Sequence, residues 1–143
     1  MDTNVVFEGL TSAASAPGVI VEAWLAGLFQ ACVSNALAYE YAEVLQRKLS
    51  ATRWGQARIA LATLLDRSEL VPVRYTWRPS SPDPGDEHLI DCAMNGRALV
   101  VTSNLKDFRY AETSLGLQTL SPPEMVAYLA YQLEAFDGRE QDD

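Results

Sequence analysis

The 143-residue chain predicts an α/β fold, a three-layer sandwich whose mainly parallel central sheet is flanked by helices. Three observations carry that prediction. Short apolar runs alternate with longer stretches whose apolar residues recur at helical spacing, the pattern of strands joined by crossover helices. Apolar residues make up 48% of the chain and charged residues 21%, the composition of an ordinary globular protein. The length suits one hydrophobic core rather than two.

Element by element, Asn4 to Phe7 reads as the end of a strand that enters a Gly-, Ser- and Ala-rich loop reaching Pro17 and Gly18. A helix follows, with Ile20, Trp24, Leu25 and Leu28 nearer the core. Ala31 to Ser34 is a short apolar strand, and Ser34 or Asn35 caps the next helix. That helix, Ala36 to Leu49, carries Leu37, Tyr41, Val44, Leu45 and Leu49 at helical spacing. Thr52 caps another, in which Ile59, Leu61, Leu64 and Leu65 recur, and the two form a hairpin. Leu70 to Val73 reads as a strand. Regular structure then breaks from Arg78 to Gly85, where prolines and serines cluster. Asp86 to Asn95 is an apolar helix with Gly96 as its C-terminal cap. Ala98 to Thr102 is the clearest strand, and Leu117 to Leu120 reads as the last. Ser121-Pro122-Pro123-Glu124 begins a helix, with prolines in the first turn and Glu three residues after Ser. The domain is expected over residues 1–135, followed by an acidic, disordered tail at 136–143.

The net charge of -8 runs against the basic surfaces that usually meet polyanions. Its distribution is uneven. Glu134, Asp137, Glu140, Asp142 and Asp143 against Arg139 place about half of it in the last ten residues. From Arg47 to Pro82 the sign reverses, seven basic residues standing against Asp66 and Glu69. Arg47, Lys48, Arg53 and Arg58 are the candidates for contacting RNA phosphates; the plainer reading is a solvated face of two helices. No apolar run approaches the roughly 20 residues of a membrane span, and no charged leader opens the chain; a soluble, cytoplasmic protein is expected. Cys32 and Cys92 lack the close spacing of a zinc or redox motif and read as reduced core residues. His88, the only histidine, can supply neither a zinc site nor a catalytic triad.

In a parallel sheet, functional residues collect at the carboxyl ends of the strands. Asp2, Glu40, Asp86 and Asp107 each fall near such an edge. Gathered there, four acids repel one another and need a cation. A hard divalent ion, Mg²⁺ or Mn²⁺, suits an all-oxygen donor set and keeps coordination sites for substrate phosphate. Phosphodiester hydrolysis is the economical use of such a centre. Taken singly, each acid has a bland alternative: Glu40 an exposed helix residue, Asp86 a helix cap, Asp107 a turn residue.

Four segments in order shift that balance: Asp2-Thr3-Asn4-Val5-Val6; Ser34 through Glu40-Tyr41-Ala42-Glu43-Val44-Leu45; Asp83-Pro84-Gly85-Asp86-Glu87-His88-Leu89-Ile90-Asp91-Cys92-Ala93; and Val100-Val101-Thr102-Ser103-Asn104-Leu105-Lys106-Asp107-Phe108. Together they resemble the PIN-domain family, particularly the bacterial toxin nucleases related to VapC toxins. The resemblance implies a PIN-like fold and metal-dependent endoribonuclease activity, often as the toxin paired with an antitoxin protein. It implies Asp2, Glu40 and Asp86 as catalytic metal-site acids, with Asn4 and Thr102 as hydrogen-bonding supports. Many family members carry Asp where this chain has Asn104, whereas others carry Asn there and keep an Asp three residues later; the resemblance therefore implies Asp107 as the fourth acid, with Asn104 as a neutral ligand or water-positioner. Asp91, five residues after Asp86, points to a different side of its helix. The family usually has an apolar strand ahead of the first Asp, whereas here only Met1 precedes Asp2.

Two other classes compete. An aspartyl phosphatase would want a second acid close to its nucleophilic Asp, and Asp2 is followed by Thr3 and Asn4. A catalytically weak or inactive PIN-like scaffold, acting through oligomerisation or partner binding, draws support from Asn104 and from the missing leading strand. Homodimers are common in the resembled family, and the helix bearing Trp24 with nearby Phe29 is a candidate surface for one. Trp54 and Trp77, flanking the basic stretch, read as packing residues that could also stack bases.

Overall fold

Parallel strands in the computed structural model, which describes residues 1–142, come in two separate pairs. β1 (Ala31–Val33) lies beside β2 (Ser68–Leu70) with Cys32 opposite Glu69. β3 (Val100–Val101) lies beside β4 (Thr119–Leu120) with Val100 opposite Thr119. Helices join the strands of each pair: α3 (Asn35–Lys48) and α4 (Ala51–Asp66) connect β1 to β2, and α6 (Arg109–Leu115) lies between β3 and β4. The α/β alternation therefore stands, but the continuous central sheet expected from the sequence is divided into two two-stranded sheets.

The division begins at the N-terminus. Asn4 to Phe7, expected as a strand, lies within a helix, α1 (Thr3–Thr11). Val5, Val6 and Gly9 are all buried, and neighbours i, i+1 and i+4 share a helical face but would alternate sides in a strand. The backbone N–H groups of Val5 and Val6 both donate to the carbonyl of Asp2, at 3.0 and 3.2 Å, closing the first turn. Gly9 lets α1 press against α2 (Ala16–Leu25): a Cβ there would stand 2.4 Å from Val21 Cγ2. These two helices meet at 90°, and no single helix among the described residues is long and apolar enough to cross a membrane.

Helix starts follow local side-chain chemistry. Ser15, Ser34 and Ser50 cap α2, α3 and α4 by accepting from the third backbone N–H beyond each. Ser50, not Thr52, therefore caps α4. α7 (Pro122–Asp142) opens on a reciprocal pair, Ser121 N–H to Glu124 Oε1 at 3.0 Å and Glu124 N–H to Ser121 Oγ at 3.3 Å. This helix continues through the acidic stretch after residue 135.

Gly96 has a different role from the cap expected. It is the last residue of α5 (Glu87–Gly96), and Arg97 takes the left-handed conformation at φ 53°. A Cβ on Gly96 would stand 3.0 Å from Val71 Cγ2 and 3.5 Å from Cys32, so the glycine allows α5 to approach the β1–β2 pair.

The main core gathers Trp24, Leu37, Tyr41, Leu45, Leu64, Ile90, Val100 and Phe108 from both sides of the strands. A smaller cluster of Val5, Ile20, Ala23, Val101, Met125 and Leu129 lies under α7. Trp24 is wholly enclosed and donates to Ser68 Oγ at 3.2 Å, so it offers no surface to a second copy, contrary to that expectation; Phe29 packs against it. Leu28 and Ile59, expected inside, are exposed. Cys92 is buried, Cys32 is half-buried, and both are free thiols.

Candidate active site

Asp2 reaches its position through the strand beside it. Its backbone N–H donates to Val101 O at 2.9 Å, and its carboxylate accepts from Thr102 Oγ1 at 2.7 Å. Thr102 is fully buried just past the end of β3, so the hydroxyl has little freedom to turn elsewhere. The same hydroxyl accepts from the Asn104 N–H at 3.0 Å.

Glu40 comes from α3, whose start Ser34 fixes. Thr3 donates its hydroxyl to Glu40 Oε2 at 2.6 Å, and the adjacent Tyr41 phenol donates to the Met1 carbonyl. Two consecutive residues of α3 are thus attached to the first three residues of the chain, which brings Glu40 to Asp2.

Asp86 is delivered by the irregular segment between β2 and α5. Asp83 accepts the Gly85 N–H at 2.9 Å and caps a 3-10 turn over Pro84–Asp86. Glu87, buried on α5, accepts from the N–H and hydroxyl of Ser80, each at 2.9 Å, and from the Ser81 N–H at 3.3 Å. Arg78 donates to Asp91 at 3.0 Å, and the other Asp91 oxygen is buried with no hydrogen-bond partner among the described residues. Ser81 Oγ donates to the Asp107 carbonyl at 3.2 Å. These contacts tie the segment to both α5 and the turn that carries Asp107.

The acids converge as two overlapping groups. Asp2, Glu40, Asp83 and Asp86 line a pocket of about 160 Å³ together with Asn4, Arg47 and Lys48. Carboxylate oxygens of Asp83, Asp86 and Asp107 lie within 4.8 Å of one another. Asp107 belongs to the second group and not to the pocket lining. The exposed Asn104 spends its amide on the Asp107 carboxylate. Asn4 lines the pocket from an exposed position with no side-chain hydrogen bond among the described residues.

Charge crowding appears in the proton affinity of one residue. Burial, followed by the charges of Asp2, Asp83, Asp107 and Glu40, pushes the Asp86 carboxyl from its ordinary value up to about 7. The donors are all hard oxygens, and their mutual repulsion would be relieved by a divalent cation such as Mg²⁺ or Mn²⁺. The residues therefore fit such an ion.

Of the four basic residues expected at the site, Arg47 and Lys48 line the pocket. Arg47 also pairs with Glu43 at 3.0 Å, and the Lys48 ammonium lies 5.0 Å from the centre of the Phe7 ring. Arg53 and Arg58 are exposed on α4 and do not line it; Arg58 borders a separate shallow depression with Asp66 and Arg67.

Three residues of the site carry no assigned role in the sequence. Thr3 is one, and no spacing rule pairs it with Glu40. Tyr41, at helical spacing, reads only as an apolar helix position. Asp83 had a visible signal, since an acid three residues before Asp86 with Pro84-Gly85 between them forms a tight turn that returns both carboxylates to one side.

A PIN domain family model matches residues 1–106. That span contains Asp2, Glu40, Asp83, Asp86 and Thr102, and it ends just before Asp107. No curated protein and no solved structure matches the chain. With the match covering most of the chain, and the acids in its motifs meeting at one pocket, the chain belongs to the PIN domain family.

Proposed function

We propose that this chain is a metal-dependent endoribonuclease that hydrolyses RNA phosphodiester bonds. One observation carries the reading: Asp2, Glu40 and Asp86, far apart in sequence, line one small pocket beside Arg47 and Lys48. PIN domains are generally nucleases and typically bind divalent metals, in keeping with that chemistry.

In this proposal Asp2, Glu40 and Asp86 hold the ion, with Asp83 and Asp107 at its border. A bound Mg²⁺ or Mn²⁺ would supply activation of the attacking water and neutralisation of phosphate charge. The chain's own residues do the rest. Thr102 and the Val101 carbonyl hold Asp2 in one orientation, and Thr3 holds Glu40. Asp86 must lose its proton before it can serve as a ligand, so its raised proton affinity makes the site sensitive to pH near neutrality. Arg47 and Lys48 meet the phosphates flanking the scissile bond and offset the acidic field. The toxin role, with an antitoxin protein as partner and a homodimer as the working form, belongs to the same proposal. A neighbouring reading frame for a small DNA-binding protein is its expected companion.

The test is cleavage of a mixed RNA pool by the native chain and by Asp86→Asn, with Mg²⁺, with Mn²⁺ and with chelator. Metal-dependent cutting that disappears in the variant is expected. A folded native chain that cuts nothing under any of these conditions would instead support a scaffold acting through partner binding.

A further inference from the structure

From Pro72 to Ser80, between β2 and the turn that carries Asp86, the chain forms neither helix nor strand, yet its backbone is pinned. Asn95, in the last turn of α5, accepts the Arg74 and Tyr75 N–H groups at 3.0 and 3.2 Å and donates to the Tyr75 carbonyl at 2.9 Å. Further along, the Arg78 guanidinium donates to Asp91 at 3.0 Å, and Ser80 donates to Glu87. The segment therefore runs beside α5 from its last turn back to its first. Glu87 and Asn95 stand about 12 Å apart along such a helix, and Asp86 directly precedes Glu87. The whole segment thus lies within a short span of the acid pocket.

Its side chains are aromatic and basic. Tyr75 and Trp77, two residues apart, hold their ring centres 6.4 Å apart with planes inclined at 47°, so both rings lie on one side of the segment. Tyr75 is 69% exposed and Trp77 is half-buried. The other close aromatic pair, Trp24 with Phe29, belongs to the core. Rings of this size normally gain their stability from being covered, and a pair held at the surface on a pinned backbone marks a contact site. Between Leu70 and Ser80 there are two arginines and no acid. The charge of Arg78 is met by Asp91 and Glu87, whereas Arg74 is exposed and its guanidinium has no partner among the described residues.

We infer that Tyr75 and Trp77 form a stacking platform for unpaired RNA bases beside the acid pocket, with Arg74 taking the adjoining phosphate. Every base has a face that can stack on an aromatic ring, whatever the sequence. In a duplex those faces are already covered by neighbouring pairs, so the platform selects single-stranded RNA. This inference rests on the reading of the acids as a ribonuclease centre, and it adds a site outside them that decides which RNA is held.

The experiment measures binding by the full chain in chelator, where no metal-dependent cutting occurs, to a short unstructured oligoribonucleotide and to the same strand annealed to its complement. Tyr75→Leu and Trp77→Leu are compared with Tyr75→Phe and Trp77→Phe, which keep a ring, and thermal melting checks that each variant is folded. The leucine variants are expected to lose about fivefold to a hundredfold in affinity for the single strand. The phenylalanine variants should keep most of it, and duplex affinity should be nearly unaltered in all four. Tyr75 is the more exposed ring, so its pair of variants carries the test if Trp77→Leu melts early. Equal single-strand affinity in the leucine and phenylalanine variants would overturn the inference, as would a duplex held as tightly as the single strand. So would Trp77 emission that shifts to the blue as protein concentration rises without RNA, because a second copy would then cover the rings. Ring-dependent binding by a chain that cuts nothing in Mg²⁺ or Mn²⁺ would keep the platform and remove the nuclease reading. Metal-dependent cutting with the native KM in both leucine variants would do the reverse.

Discussion

The Thr102 hydroxyl donates to the carboxylate of Asp2 across 2.7 Å, joining residues a hundred positions apart. The bond orients an acid that no neighbour in sequence could hold. Replacing a group that orients a metal ligand typically weakens binding or activity about 10–100-fold. Thr102→Val keeps the shape and removes the donor, so Mn²⁺ affinity measured by calorimetry should fall by that order while the fold persists. An unchanged affinity would remove Asp2 from the centre.

Metal binding should release a proton near neutral pH. Burial and the surrounding acids raise the Asp86 carboxyl to about 7, so below that pH the ion must displace a proton. Affinity is expected to weaken by up to about tenfold per pH unit below 7 and to level off above it. In the metal-free chain the sign for folding is opposite to that of an ion-paired acid. A carboxyl that holds its proton more tightly when folded stabilises the fold at low pH, and this contribution is lost as pH rises from the ordinary aspartate range to about 7. Asp86→Asn should flatten both profiles.

Glu87 works the other way. Burial pushes its carboxyl up, but the hydrogen bonds from Ser80 and Ser81 and the nearby Arg78 charge outweigh this and hold it below its ordinary value. Its stabilisation is present above the ordinary glutamate range and is lost as pH falls through and below that range. Ser80→Ala removes the buried hydroxyl donor and should cost about 1–3 kcal/mol in denaturant unfolding. Because the same contacts hold the segment that carries Asp83 and Asp86, metal affinity should fall with it. A Ser80→Ala chain that melts normally would show that the segment is held elsewhere.

The basic residues should separate by position. Arg47 and Lys48 line the pocket, whereas Arg53 and Arg58 do not. Replacing the first two with Ala should raise KM for RNA and flatten its salt dependence. The same change at Arg53 and Arg58 should leave both nearly unaltered. Equal losses from the two pairs would place the RNA track along α4.

Trp24→Ala tests the core rather than the site. The side chain is wholly enclosed and its ring nitrogen donates to Ser68, so removal should cost about 3–5 kcal/mol. A loss under about 1 kcal/mol, or a change in oligomeric state instead, would return Trp24 to an interface.

Much of the site was legible because its acids sit beside local signals. Ser34 marks the start of α3, which carries Glu40, and the break from Arg78 to Gly85 marks the segment that delivers Asp86. The strand at Val100 and Val101 was legible for the same reason, its β-branched residues being bounded by breaks in helical spacing. The helix at Thr3–Thr11 was not. Val5-Val6-Phe7 has strand composition, and only the burial of Val5, Val6 and Gly9 on one face shows which period applies. Contacts between distant segments, such as Thr3 with Glu40 and Ser81 with Asp107, leave no mark on local spacing. Gly96 misled because its positive-φ neighbour is Arg97, while the glycine itself serves close packing against Val71 and Cys32.

An ion held by these acids is proposed to act on an RNA phosphate. The most direct test is cleavage of an oligoribonucleotide carrying a single phosphorothioate at the cut position, in Mg²⁺ and in Mn²⁺. Sulfur binds Mg²⁺ poorly and Mn²⁺ better. One sulfur diastereomer is expected to be cut much more slowly than the unmodified RNA in Mg²⁺ and to regain most of its rate in Mn²⁺, with Asp86→Asn inactive in both. Cleavage of both diastereomers at the unmodified rate in Mg²⁺, or cutting that survives chelator, would show that no ion held by these acids touches the phosphate.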